Sequence, residues 1–157
     1  MGRKKGSPFQ GVDCENVYND TDSFSAVYHS QITSPAFMAL SDEAKVMLMI
    51  CKDTRRFYMR RYGGTFPDAI RDDPLCFYMN RGLLRAYGRN NPNKNQRALQ
   101  ELVRYGFIRV VELGWNTRTK NIYRYSQRWK KLKEGETVKL EGKDLAFCTP
   151  RPKRADS

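Results

Sequence analysis

The side chains that commonly carry catalysis or bind metal are few in this chain and stand apart from one another. The only histidine is His29, and the cysteines Cys14, Cys51, Cys76 and Cys148 occur singly, with no CxxC pair. Zinc sites normally use ligands paired at short spacing, so we predict no metal site. Cys51 lies in an apolar stretch with helical spacing and is expected to be a buried thiol.

Two adjacent carboxylates, Asp72 and Asp73, are the nearest approach to a catalytic or metal-binding pair. They precede Pro74 in a stretch rich in glycine, proline and acidic residues, a context typical of a turn. The chain contains no GxSxG, no P-loop, no glycine-rich dinucleotide fingerprint and no HExxH. We therefore predict a protein that is not an enzyme and that needs no cofactor.

A different chemistry is available in the stretch NPNKNQRALQELVRYGFIRVV, residues 91–111. An apolar stripe at positions 98, 99, 102 and 103 predicts a helix that buries this face and exposes the other. Asparagine and glutamine can pair with adenine through two hydrogen bonds, and arginine or lysine with guanine. We predict a recognition helix at residues 92–105 that enters the major groove of duplex DNA. The base-contacting candidates are Asn93, Lys94, Gln96, Arg97 and Gln100.

Net charge supports a polyanionic partner, because one segment carries all of the excess. The chain has 29 basic and 17 acidic residues, a formal net charge of +12. Residues 81–133 hold 14 of these basic residues against two glutamates, whereas the rest of the chain holds 15 of each sign. A solvated surface would spread its charge more evenly, and a concentrated positive field attracts nucleic acid. The phosphate-contacting candidates are Arg81, Arg85, Arg89, Arg104, Arg118, Lys120, Asn121, Lys130 and Lys131.

The elements that must position these side chains follow from capping and turn residues. Ser41 can cap a helix that runs to Gly63 and that has Ala44, Met47, Leu48 and Cys51 as its inward stripe. Residues 75–79 form a short β-prone run. Gly88 can provide the turn between a short helix and the recognition helix, which Asn91 can cap. Gly106 is expected to end the recognition helix in the left-handed conformation. Two β-prone runs, residues 107–113 and 122–129, then predict a hairpin with a basic tip, a wing at residues 114–121.

The predicted fold class is mainly α with a small β-hairpin (α+β), a winged helix-turn-helix in which the second helix reads bases. We expect a flexible basic and polar N-terminal arm at residues 1–23 and the winged helix-turn-helix domain at residues 24–133. A C-terminal extension at residues 134–157 would end in a disordered tail, with one short strand or helix near residues 137–147.

Three stretches of the chain read SPAFMALSDEAKVMLMIC, NRGLLRAYGRNNPNKNQRALQELVRYGFIRVVELG and TKNIYRYSQRW. They resemble winged helix-turn-helix proteins of bacterial mobile elements, such as plasmid and phage replication-initiator domains and their accessory regulators. The similarity covers roughly residues 30–130. It departs at the long, partly acidic link GGTFPDAIRDDPLCFYM, and at NPNKN, where the relatives carry a Ser/Thr run. The resemblance implies a replication or transcription regulator of a phage, plasmid or other mobile element.

Partners and location follow from the same features. Duplex DNA is the expected partner, and a homodimer would double the contacted half-sites. Two alternatives remain open: an RNA-binding module, or a protein-interaction or inhibitor protein that turns the same basic face towards an acidic or nucleoprotein partner. No run of about 18 apolar residues occurs, and no apolar region follows the basic N-terminus. We therefore expect no membrane partner and a cytoplasmic location in a bacterial or phage-infected cell.

Overall fold

The computed structural model describes residues 27–61, 73–79, 81–114 and 121–150. The elements of these ranges, in chain order, are α1 (His29–Ile32), α2 (Pro35–Ala39), α3 (Asp42–Arg61), β1 (Cys76–Tyr78), α4 (Arg81–Ala86), α5 (Pro92–Arg104), β2 (Ile108–Glu112), β3 (Ile122–Tyr125), a 3-10 helix (Arg128–Lys131) and α6 (Gly142–Cys148). The fold class is α+β, a set of helices with one small antiparallel sheet, as predicted at this coarse level.

Helix α3 begins where its capping residue predicts. The Ser41 hydroxyl accepts a hydrogen bond from the Ala44 amide at 3.2 Å, which satisfies one of the amides that a helix leaves unpaired at its start. Two acidic residues occupy the first turn, where the helix dipole favours them. The predicted inward stripe of Ala44, Met47, Leu48 and Cys51 is buried. The prediction that Cys51 is a buried thiol is confirmed.

In helix α5 the N-cap, the buried stripe and the C-terminal glycine are also those expected from the sequence. The Asn91 side chain accepts hydrogen bonds from the amides of Asn93 and Lys94, at 3.1 and 3.2 Å, and Pro92 occupies the first helical position. All four predicted inward positions, 98, 99, 102 and 103, are buried. Gly106 ends the helix with φ of +77°, a conformation that side chains with a Cβ rarely adopt.

The sheet has three strands in the order β1-β3-β2, all antiparallel. The sequence predicted the β2–β3 hairpin and a short β-prone run at residues 75–79, but not that this run pairs with β3. Phe77 lies opposite Tyr123 in the register and stacks on Tyr125, with ring centroids 4.7 Å apart. These aromatic contacts hold β1 to the sheet by burying area that a three-residue strand alone could not bury.

The core lies between α3, α5 and the sheet. Phe77, Met47, Leu102 and Ile108 are among its largest fully buried side chains. A second aromatic contact, the stacking of Phe107 on Trp129 at 5.7 Å, fixes the 3-10 helix beneath the end of α5. Burial of this kind supplies most of the stability of a domain of this size.

The C-terminal part of the chain, described to residue 150, adds helix α6 to this fold. Helix α6 contacts both β2 and α5. Phe147 is buried and meets Tyr123 edge to face, with ring centroids 5.7 Å apart. The segment predicted as an extension therefore contributes to the same core.

Two further observations apply to the described ranges alone. Within them, no helix combines the length and apolarity needed to cross a membrane, and no group of three or more His, Cys, Asp or Glu side chains is placed to bind a metal ion. His29 is the first residue of α1 and is exposed. Asp73 accepts a hydrogen bond from the Leu75 amide at 2.9 Å, which confirms its predicted role as a turn former; Asp72 lies outside the described residues.

Candidate nucleic-acid interface

The N-terminal half of α5 presents four polar side chains to solvent. Asn93, Lys94, Gln96 and Arg97 are all exposed. Asn93 and Arg97 stand four positions apart, so they lie one above the other on the same face of the helix. The Arg97 Nε donates a long hydrogen bond, 3.4 Å, to the backbone oxygen of Asn93, which leaves the terminal guanidinium nitrogens available. These side chains can donate to and accept from base edges.

The backbone at the start of α5 is already satisfied. The amides of Asn93 and Lys94 donate to the Asn91 side chain, the Asn95 amide donates to the Asn91 carbonyl at 3.0 Å, and Pro92 has no amide hydrogen. The helix N-terminus therefore has no spare amide for a phosphate. Any ligand of this face meets side chains instead.

A buried asparagine fixes how α5 follows the turn. Asn95 is 7% exposed, and its side-chain amide nitrogen donates to the Arg89 carbonyl at 3.0 Å. Gly88 has φ of +73°, and the Arg89 amide donates to the Leu84 carbonyl at 2.8 Å, so α4 ends in a tight turn. Asn95 was not among the site residues predicted from the sequence. The signal for its burial is its position, which falls on the same side of the helix as the apolar positions 98, 99 and 102.

Helix α4 adds basic side chains close to the start of α5. Arg81 and Arg85 are exposed, consistent with the predicted phosphate contacts. Arg89 is engaged in an ion pair with Glu43 of α3, with 2.9 Å between guanidinium nitrogen and carboxylate oxygen. The burial of Arg89 is intermediate, so its charge is partly neutralised by the fold. The residue before Gly88, Tyr87, donates a 2.6 Å hydrogen bond from its hydroxyl to the Asp53 carboxylate of α3. Burial raises the pKa of the Tyr87 phenol, and the neighbouring carboxylate raises it further.

Two predicted contact residues on α5 have protein partners instead. The Gln100 side-chain amide donates to the Phe147 carbonyl at 2.9 Å, and the Arg104 guanidinium donates to the Cys148 carbonyl at 3.3 Å. Both side chains hold the C-terminal end of α6. In the structure both side chains therefore contact α6, and the base contact of Gln100 and the phosphate contact of Arg104 stay predictions. Hydrophobic periodicity gave their outward direction correctly, but it did not indicate that α6 would cover them.

The remaining predicted phosphate contacts are dispersed. The Asn121 oxygen accepts from the Gly114 amide at 2.8 Å, so this side chain braces the strand ends of the hairpin rather than standing free. Lys130 and Lys131 are exposed on the 3-10 helix, whose Trp129 amide donates to the Gly106 carbonyl at 3.2 Å. They thus lie near the far end of α5, roughly 18 Å along the axis from Asn93. Arg118 and Lys120, at the predicted wing tip, lie outside the described residues.

A cleft on the sheet was not predicted from the sequence. Arg109 and Arg124 lie directly opposite each other on β2 and β3 and line a cleft of about 310 Å³, whose other charged residues are Lys143, Glu141 and Asp144. Arg124 is paired with Asp73 at 2.8 Å, and this guanidinium lowers the pKa of the Asp73 carboxyl. The pairing offsets the like-charge contact across the strands.

Glu101 has a structural role that its sequence position did not reveal. Its two carboxylate oxygens accept hydrogen bonds from the Ser41 amide and hydroxyl, at 2.5 and 2.7 Å. The carboxylate thereby orients the residue that caps α3 and ties α3 to α5. As a result, the one acidic side chain of α5 points to the protein, away from the exposed half of the helix.

Comparisons of this chain with protein-family models, with curated proteins and with solved structures found no match.

Proposed function

We propose that the protein is a non-enzymatic DNA-binding protein of the winged helix-turn-helix class, with α5 as its recognition helix. The observation that carries the proposal is the composition of the exposed half of α5. Four polar or basic side chains, at positions 93, 94, 96 and 97, face solvent there, and residues 81–100 contain no acidic residue. Such a surface is complementary to the edges and phosphates of nucleic acid.

The order of elements supports this class. A helix, a strand, two helices joined at Gly88 and two further strands follow one another, and the first strand pairs with the last. In a winged helix-turn-helix the second helix of the pair contacts base edges with its N-terminal residues. The exposed residues of α5 are at that end. Arg81 and Arg85 of α4 would contact the adjacent backbone, as positioning contacts do.

The biological role follows from the resemblance to proteins of bacterial mobile elements. We infer a replication or transcription regulator of a phage, plasmid or integrated element. RNA binding is the nearest alternative, and a protein-directed role is a third. A duplex reader and an RNA module differ in which nucleic acid they bind most tightly, so the first test compares them directly.

The test measures the affinity of the whole protein for duplex DNA, single-stranded DNA and RNA across a series of salt concentrations. We expect duplex DNA to bind most tightly, with log K falling against log salt by about 0.9 for each neutralised phosphate. Arg85→Ala should weaken binding equally on all duplex sequences and reduce that slope by about one. Lys139→Ala is the control, because Lys139 is a highly exposed lysine outside α4 and α5, with its side chain 86% accessible.

Base reading is tested separately with Arg97→Ala. Its affinity for a selected duplex should fall by about 1–3 kcal/mol, with preference relaxed at one position. An equal loss on every sequence would make Arg97 a phosphate contact. The proposed function is wrong if no duplex binding is measurable at about 50 mM salt, or if RNA of the same length binds more tightly.

A further inference from the structure

The C-terminal end of α6 lies on the outward face of α5. Its last two carbonyls, those of Phe147 and Cys148, accept hydrogen bonds from Gln100 and Arg104. The Cys148 Sγ also lies 3.7 Å from the Gln100 carbonyl oxygen. Helix α6 is therefore attached to α5 by three contacts, all made by its last two residues.

The covered positions belong to the same stripe as the proposed base contacts. Positions 93, 97, 100 and 104 are separated by four, three and four residues, which is the spacing of one helix face. Asn93 and Arg97 are exposed, whereas Gln100 and Arg104 are half-buried. The stripe is thus open at its N-terminal half and covered at its C-terminal half.

Helix dimensions decide what this cover does in a DNA groove. The major groove of B-DNA is about 12 Å wide and about 8.5 Å deep. One helix with its side chains is about 10–12 Å across, and a second packed beside it adds about 8–10 Å. A pair of helices is therefore too wide for the groove. The uncovered part, from Pro92 to Leu99, is about 12 Å long, which is enough to reach the groove floor.

We propose that α6 stays in place on bound DNA and limits how far α5 enters the major groove. Base reading is then confined to residues 93–97, and α5 enters the groove with its N-terminus first. This inference rests on the proposed function and specifies which duplex the protein reads. A helix end about 10–12 Å across spans about three or four base pairs at about 3.4 Å each. The target is a short block of this length for each protomer.

Selection of bound fragments from a random duplex pool tests the length of the block. The expected result is a contiguous preference over about three to four base pairs for each protomer, with a homodimer giving two separated blocks. A contiguous preference over about six or more base pairs for one protomer would overturn the inference and leave the proposed function standing. Recovery of no enriched duplex would overturn both.

The Gln100→Ala variant tests whether α6 stays in place, since it removes one of the contacts that hold α6 and changes no charge. If α6 limits α5 on bound DNA, the variant should bind duplex no more tightly than the native protein and with the same base preference. Tighter binding would mean that α6 must be displaced first, and a changed base would mean that Gln100 itself reads the groove. Either result overturns the inference.

A negative charge at the end of α6 gives an independent test, because this end should lie at the rim of the groove. Thr149→Glu should lower the affinity for all duplex sequences about fivefold, since like charges about 4 Å apart in water repel by about 1 kcal/mol. Thr33→Glu is the matched control. Both threonines are exposed, and both hydroxyls donate to the carbonyl four residues earlier, at 2.7 and 2.8 Å. Equal affinities for the two variants would contradict the placement of α6 at the rim.

Discussion

The carboxylate of Asp144 on α6 accepts a hydrogen bond from the Val110 amide of β2 at 2.7 Å. Its other oxygen is bonded to the Arg128 guanidinium at 3.1 Å. Strand β2 is at one edge of the sheet, so its outward amide would otherwise lack a partner. Lys143 contributes on the same edge by donating to the Val111 carbonyl at 2.7 Å. Helix α6 thus closes this edge with side chains, as a further strand would close it with backbone.

Removing this carboxylate should destabilise the fold strongly. The Asp144 side chain is only 9% accessible, so Asp144→Ala leaves the Val110 amide without its acceptor. It also removes the carboxylate from the Arg128 guanidinium, which keeps the Ser126 hydroxyl and the Ile108 carbonyl as acceptors. We expect a loss of about 2–4 kcal/mol in the free energy of unfolding, measured by denaturant titration. Asp144→Asn keeps one oxygen acceptor and should lose less. Equal stability of the alanine variant and the native protein would show that the carboxylate contributes nothing to the edge.

Gly106 should tolerate no side chain. Its φ of +77° disfavours residues with a Cβ, and a Cβ built there would lie 2.7 Å from the Trp129 amide nitrogen. Strain and clash together should make Gly106→Ala less stable by about 2–4 kcal/mol, measured as a shift of the denaturation midpoint. Gly88→Ala is the control, because its φ is also positive but nothing lies within 4 Å of the position that a Cβ would occupy there. The control should lose only the conformational part, about 1 kcal/mol.

The cap of α5 links stability to the proposed interface. Asn91→Ala removes the acceptor of the Asn93 and Lys94 amides and should cost about 1 kcal/mol of stability. Because the first turn then frays, duplex affinity should fall as well, although Asn91 itself reads nothing. Asn91→Ser should leave both quantities near those of the native protein, since serine also caps helices. Asn91→Asp should keep the stability and lower the affinity, because its carboxylate repels the phosphates. If stability falls and affinity does not, the first turn is not part of the interface.

The Asp73–Arg124 pair predicts a measurable titration shift. Hydrogen bonds from the Arg124 guanidinium and the Leu75 amide hold the pKa of Asp73 below its usual value. A depressed pKa in the folded state means that this pair favours folding above the ordinary aspartate pKa. The benefit is lost as the pH falls through the lowered value. An NMR titration should show the low pKa, and Arg124→Ala should raise it towards the ordinary range. An unchanged pKa in that variant would assign the shift to the turn amide alone.

The sequence predicted the elements that depend on neighbouring residues. The caps at Ser41 and Asn91, the stripe of α5 and the left-handed Gly106 all follow from rules that act within a few positions. The exposed candidates Asn93, Lys94, Gln96 and Arg97 follow from the stripe, because an inward face defines the outward one. These predictions succeeded because their physical causes are local.

Contacts between distant parts of the chain could not be predicted in this way. Gln100 meets Phe147 from 47 positions away, and Arg89 meets Glu43 from 46 positions away. Periodicity indicates which way a side chain points, but it carries no information about which distant residue packs against it in the fold. For the same reason, the sequence indicated that β1 is β-prone but not that it pairs with β3.

The small size of α6 has a consequence for the order in which the protein matures. A helix of seven residues is not stable alone in water, so α6 can form only after α5 and β2 exist to hold its two ends. Its residues are also synthesised after all the elements that it contacts. A chain in which α5 has formed and α6 has not therefore exposes the whole outward stripe of α5, including Gln100 and Arg104.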